Sequence, residues 1–237
     1  MTQTIPNYSK QLLIFDWDGT LMDSQARIVN CLRSTIRDMD KQERSHEQLS
    51  NVIGLGFKEA LLCLYPDDSD DFHDDFVERY RHYFLSEDDT PSILFEGVKT
   101  MLEDLYQQGY FLAIATGKGR YGLDMALKET DVEHLFHGSR CADESQSKPH
   151  PQMLEELMDY FAVEPMQTIM IGDTEYDLQM ANNANVHGVG VTYGVHNEQR
   201  IRECNPVACL NSSEELHSWL TDKISYEGYD KTVTNYD

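Results

Sequence analysis

Leu12-Leu13-Ile14-Phe15-Asp16-Trp17-Asp18-Gly19-Thr20 is an apolar run that breaks off abruptly into two acids and a Gly-Thr turn. Consecutive apolar residues with no polar alternate read as a strand buried on both faces, as in a parallel sheet. The pattern recurs. Tyr110-Phe111-Leu112-Ala113-Ile114-Ala115 ends in Thr116-Gly117, Thr168-Ile169-Met170-Ile171 ends in Gly172-Asp173, and a more glycine-rich run spans Val186 to Val191. Helical periodicity follows these runs, as in Met125-Ala126-Leu127 within Tyr121 to Glu129, or Leu178, Met180 and Ala181 after Asp177. Strands alternating with helices predict an α/β fold built on a doubly wound parallel sheet.

The segment from Asp23 to about Phe95 departs from that rhythm. Its apolar residues fall at helical spacing (Ile28, Val29, Leu32, Ile36; Phe57, Ala60, Leu61, Leu64; Phe72, Phe76, Tyr80, Phe84), and no run reads as a strand. Gly54-Leu55-Gly56, Pro66 and Pro91 punctuate it. The expectation is an all-helical insertion over residues 22–95 that splits a core of residues 1–21 and 96–225. Six aspartates between Asp67 and Asp75 lack the Gly and Glu positions of a calcium loop and read as a solvated helix start. Residues 226–237 are polar without periodicity and predict a mobile tail.

Composition narrows the functional classes. The 237 residues carry a formal net charge of −23, which disfavours nucleic acid or an anionic membrane surface as partner. No stretch approaches the roughly 18 to 20 apolar residues of a membrane helix, and Met1 to Lys10 lacks the order of a secretory signal, so a cytoplasmic address is expected. The five cysteines are scattered, without a C-x-x-C pair, which argues against a disulfide framework or a zinc site.

In a parallel α/β sheet, ligands bind beyond the carboxyl ends of the strands. The polar residues there are Asp16, Asp18, Thr116, Asp173 and Asp177, joined by Lys148 in Ser147-Lys148-Pro149. Carboxylates converging at one site repel unless a hard cation holds them, and an all-oxygen set points to Mg²⁺. A carboxylate can attack phosphorus and form an acyl-phosphate, which splits one hard displacement into two easier ones. A second acid two residues on faces the same side and can protonate the leaving oxygen, then activate water. Asp16 and Asp18 have that spacing; Thr116 offers a hydroxyl and Lys148 a fixed positive charge. The glycines and helix start of Gly117-Lys118-Gly119-Arg120-Tyr121-Gly122 can cradle a phosphate, with Lys118, Arg120 and Lys58 adding local positive charge inside the negative shell. That segment also fits a dinucleotide fingerprint, with Asp143 about 20 residues on, but the first strand–helix unit carries the two acids instead.

Taken together, Phe15-Asp16-Trp17-Asp18-Gly19-Thr20-Leu21-Met22-Asp23-Ser24, Ala115-Thr116-Gly117-Lys118, Lys148-Pro149 and Gly172-Asp173-Thr174-Glu175-Tyr176-Asp177 resemble the four motifs of the haloacid dehalogenase superfamily of phosphatases, over roughly Leu12 to Leu220. The resemblance is to the branch with a helical cap after the first strand, among phosphoglycolate-phosphatase-like proteins. It implies a Rossmann-like core, Asp16 as nucleophile and Asp18 as acid and base. It also implies Mg²⁺ on the Asp16 side chain, the Asp18 carbonyl and the Asp173 side chain, with Asp177 in or near the shell behind. Gly19, Thr20, Gly117 and Lys118 are the expected phosphate-binding residues. Trp17 stands where the family more often has Leu or Met, and Asp18 argues against carbon–halogen chemistry, since a halide leaving group needs no acid.

The implied function is hydrolysis of a small phosphorylated metabolite; phosphoglycolate, a sugar phosphate, a nucleotide and pyrophosphate all fit these motifs. A sugar-phosphate phosphomutase of the same fold is the alternative. A receiver-like phospho-switch also has acids, a Thr and a Lys at strand ends, but neither a cap nor the acid at position 18.

Overall fold

Leu12–Phe15 forms β1, and all four side chains are fully buried. The computed structural model describes residues 11–225, so the expected tail at 226–237 lies outside the described residues. After β1 come β2 (Met22–Asp23), then α1 (Gln25–Asp38), α2 (His46–Asn51), α3 (Phe57–Leu64) and α4 (Asp70–His82), which runs into a π-helical turn, Tyr83–Glu87. The chain returns through β3 (Ile93–Leu94) and α5 (Val98–Gln107). It then alternates through β4 (Phe111–Thr116), α6 (Arg120–Thr130), β5 (Gly138–Cys141), α7 (Gln152–Phe161), β6 (Thr168–Gly172), α8 (Glu175–Asn183) and β7 (His187–Val191). The last elements are α9 (Glu198–Glu203), β8 (Ala208–Leu210) and α10 (Ser213–Ser225).

Six strands form one parallel sheet in the order β5-β4-β1-β6-β7-β8. Its first strand is therefore central. The chain builds outward from β1 through β4 to β5, then crosses back to β6 on the other flank, which makes the carboxyl ends of β1, β4 and β6 the topological switch point. The apolar runs serve two cores at once. Leu13, Phe15, Leu112, Ile114, Ile169 and Ile171 pack against α5, α6 and α10, whereas Leu12, Ile14, Ala113, Ala115 and Met170 pack against α7 and α8. At about 1.5 to 3 kcal/mol for each large side chain fully buried, this two-faced burial explains why β1 tolerates no polar alternate.

The helical insertion has a core of its own around Leu32, Ile36, Leu49, Leu61, Phe76 and Tyr80. The acidic run behaves as read: Ser69 caps α4, its hydroxyl accepting from the Phe72 amide at 3.3 Å, with Asp70 and Asp71 in the first turn where the helix dipole favours them. One feature differs. Met22–Asp23 and Ile93–Leu94, at the two ends of the insertion, pair as an antiparallel ribbon. Two-residue strands leave no periodicity to read.

The insertion closes onto the sheet through backbone. A Cβ at Gly117 would lie 2.5 Å from the carbonyl oxygens of both Gly54 and Leu55, closer than any side chain allows. The Gly56 amide donates to Ser147 Oγ at 2.7 Å, and Tyr176 Oη donates to the Asn51 carbonyl at 2.8 Å. Gly117→Ala is thus expected to hold the insertion off the strand ends. Steady-state kinetics should show kcat/KM down by about a hundredfold, the order that a 1 Å misplacement costs, with Tm nearly unchanged.

Candidate active site

The loop after β1 is wound tightly: the Leu21 and Met22 amides both donate to the Trp17 carbonyl at 3.0 Å, and the Gly19 amide to the Met22 carbonyl at 2.8 Å. Gly19 has φ +88°, and a Cβ there would lie 2.2 Å from Asp173 Oδ2, so only glycine lets the loop approach β6. This winding turns Asp16 and Asp18 toward the ends of β4 and β6. Trp17 points the other way into the core, its indole N–H 3.3 Å from Met22 Sδ.

Lys148 and Asp16 are fully buried together. The ammonium lies 2.7 Å from Asp16 Oδ1 and 2.6 Å from Asp177 Oδ1. Asp16 Oδ2 has no hydrogen-bond partner among the described residues. Asp173 is held on both oxygens, accepting from Thr20 Oγ1 at 2.8 Å and from the Val195 amide at 2.8 Å. Asp18 accepts from Ser24 Oγ at 2.7 Å and sits 3.0 Å from Lys118 Nζ. Thr116 Oγ1 accepts from the Lys118 amide at 3.1 Å, leaving its own proton free to be donated.

Asp16, Asp18, Thr116, Lys118, Lys148, Asp173 and Asp177 thus converge as expected. Gly117 and Lys118 line the cavity above Asp16; Thr20 is turned away from it and positions Asp173 instead. Arg120 does not reach the cluster, because its guanidinium is bound to Glu144 at 2.7 and 2.8 Å. The dinucleotide-like acid has a plain role too, since Asp143 accepts from the Arg120 amide at 3.0 Å and caps α6. Ser24 escaped the sequence reading; its signal is its place at the end of the first motif, where a hydroxyl can reach back six residues.

Carboxylate oxygens of Asp16, Asp173 and Asp177 lie within 4.8 Å of one another, all buried. Proximity alone would make all three metal ligands. Asp177, however, has Oδ1 on the Lys148 ammonium and Oδ2 filled by two donors, Thr174 Oγ1 at 2.6 Å and the Thr174 amide at 3.1 Å, whereas each Asp173 oxygen accepts from one neutral donor and keeps a lone pair. It orients Lys148 and the start of α8, whereas the partnerless Oδ2 of Asp16 is an orphan that a cation would satisfy. Three buried carboxylates against one ammonium leave excess negative charge, and hard oxygens alone fit a divalent ion of the Mg²⁺ kind.

The protonation equilibria reflect that excess. Burial, opposed by Lys148 and reinforced by Asp177 and Asp173, pushes the Asp16 carboxyl well above its usual range. Burial and then the Asp177 charge push Asp173 up to about 7. Burial alone would lower the Lys148 ammonium, but its two carboxylate partners more than reverse that and raise it.

A raised carboxyl binds protons more tightly in the folded chain. Without metal, stability therefore falls as pH rises from the unfolded value near 3.8 through the folded value of about 7 for Asp173. A cation replacing those protons should raise Tm, and more so at pH 8 than at pH 5.5, where protons compete. Scanning fluorimetry with and without Mg²⁺ at the two pH values checks this.

The sequence matches the model of the haloacid dehalogenase-like hydrolase family over residues 13–191. It is 31% identical over 205 residues to a phosphoglycolate phosphatase of Aliivibrio fischeri, covering 83% of this chain and 90% of that protein. It is 24% identical to the pyrophosphatase PpaX of Anoxybacillus flavithermus, covering 88% and 95%. A hydrolase from Pseudomonas syringae shares the fold with a TM-score of 0.81 at 20% identity, over 90% and 98% of the two chains. The chain belongs to the haloacid dehalogenase-like hydrolase family. It is a hydrolase, and these two relatives are a phosphoglycolate phosphatase and a pyrophosphatase.

Proposed function

We propose that the chain is a Mg²⁺-dependent phosphatase that hydrolyses a small phosphomonoester through an aspartyl-phosphate on Asp16. The observation that carries this reading is the buried Asp16 carboxylate, held by Lys148 on one oxygen and partnerless on the other, at the floor of a cavity between sheet and insertion. The phosphatase relatives support it.

In the first step an Asp16 oxygen attacks phosphorus, the ester P–O bond breaks, and Asp18 delivers a proton to the leaving oxygen. In the second, Asp18 takes a proton from water, which attacks the same phosphorus and frees Asp16 and inorganic phosphate. Ser24 and Lys118 hold Asp18 in place between the two roles. The Thr116 hydroxyl and Lys148 face the charge that builds on the equatorial oxygens. Asp16, Asp173 and the Asp18 carbonyl would hold Mg²⁺, which supplies further positive charge for the phosphoryl group. The insertion excludes bulk water when seated as here.

A phosphomutase would need polar groups over the site to hold a sugar carrying phosphate; the walls here are mainly apolar, which favours hydrolysis. A panel of phosphomonoesters assayed for phosphate release tests the reading. Chelation should lower turnover by at least about a hundredfold and Mg²⁺ should restore it. Full activity in metal-free buffer would overturn the metal dependence, and no release from any ester the phosphatase reading.

A further inference from the structure

We infer, resting on that reading, that the substrate is the phosphomonoester of an apolar, ring-sized alcohol. The cavity above Asp16 and Asp18 has a polar floor and an apolar wall: Leu32, Val52, Ile53, Phe57, Tyr80 and Phe84 face it from α1, the Val52–Gly56 turn, α3, α4 and the π-helical turn. Its volume is about 120 Å³. That is the scale of the apolar cavity of ~150 Å³ that takes up benzene. Leu85 and Tyr121, both substantially exposed, continue the apolar lining at its mouth.

The cations present are poorly placed for an acidic leaving group. Lys118 is committed, its Nζ 3.0 Å from Asp18 and 4.8 Å above the Phe84 ring. Lys148 is buried between Asp16 and Asp177. Arg81 is exposed at the rim. A glycolate carboxylate or a second phosphate would therefore lose water against hydrocarbon and gain little from charge, and a polyhydroxylated sugar would leave its hydroxyls unpaired. An apolar body loses nothing there. Within the wall the Tyr80 hydroxyl has no hydrogen-bond partner among the described residues and can take one substituent.

The test compares benzyl phosphate with phosphoglycolate and glycerol 1-phosphate, alcohol esters of comparable intrinsic reactivity, and uses acetyl phosphate as a substrate with almost no body to recognise. Asp16→Asn is the blank throughout. The expected result is a kcat/KM for benzyl phosphate at least about tenfold above the two polar esters, carried mainly by KM. Leu55→Ser, which removes part of the wall, should raise KM for benzyl phosphate about tenfold more than for acetyl phosphate, and Leu55→Met should restore it. Equal or better turnover of phosphoglycolate, or an equal loss on both substrates in Leu55→Ser, would overturn the inference while leaving the phosphatase reading intact. No Asp16-dependent release from acetyl phosphate or any ester would overturn both.

Discussion

Asp16→Asn is expected to lower phosphate release by more than about ten-thousandfold, the scale on which removing a covalent nucleophile acts. The amide keeps the shape of the side chain and replaces one carboxylate oxygen, with its charge, by an NH2 group, so no repacking is needed at a position with no exposed surface. Stability supplies the control that separates this from unfolding. Three buried acids share one ammonium, and burial already drives the Asp16 carboxyl toward its protonated form. Removing that charge relieves the site, so in metal-free buffer at pH 8 the variant's Tm should hold or rise. A dead enzyme that is at least as stable as the parent is the expected pair of results. Activity surviving the substitution would sink the mechanism.

Lys148→Ala should move stability the opposite way. The lysine is completely buried with both partners, and its loss leaves Asp16 and Asp177 facing each other with no counter-charge. Breaking a buried pair from one side costs about 3 to 5 kcal/mol, which denaturant unfolding would read directly. Turnover should fall as well, since in the proposed mechanism the same ammonium faces the transferred phosphoryl group. The double variant Asp16→Asn with Lys148→Ala should recover part of the lost stability, because it removes one of the two uncompensated charges. Additive losses would mean that the two residues are not energetically coupled.

Much of this was legible in the chain because two strong signals coincide. β1, β4 and β6 are central strands, so packing on both faces writes them as uninterrupted apolar runs. The functional side chains then sit at the first polar residue after each run. Edge strands carry no such signal. β5 is Gly-Ser-Arg-Cys, only its last residue buried, and β8 is three residues of intermediate burial, so neither stands out from a loop. Within the site, the convergence of Asp16, Asp18, Thr116 and Asp173 follows from strand order, while Lys148 enters from the loop between β5 and α7. What each oxygen touches does not: the Ser24–Asp18 and Thr20–Asp173 bonds, and the turn of Arg120 toward Glu144, depend on rotamers that spacing leaves open. The apolar wall was hidden for another reason. Its residues come from separate segments whose helical spacing reads as ordinary core, and only the closure of the insertion onto Gly117 brings them over Asp16.

The most direct test of the central claim is to trap the phosphoryl-enzyme. Asp18→Asn removes the group that activates water in the proposed mechanism, so breakdown of the intermediate should slow by about 10² to 10⁴ and let it accumulate. Acetyl phosphate, whose leaving group needs little help from an acid, would load it; acid quench, digestion and mass spectrometry would locate the label. The expected result is one phosphoryl group on Asp16, absent when Asp16→Asn is added. A label on another residue, or product formed in the first turnover with no label at all, would contradict it.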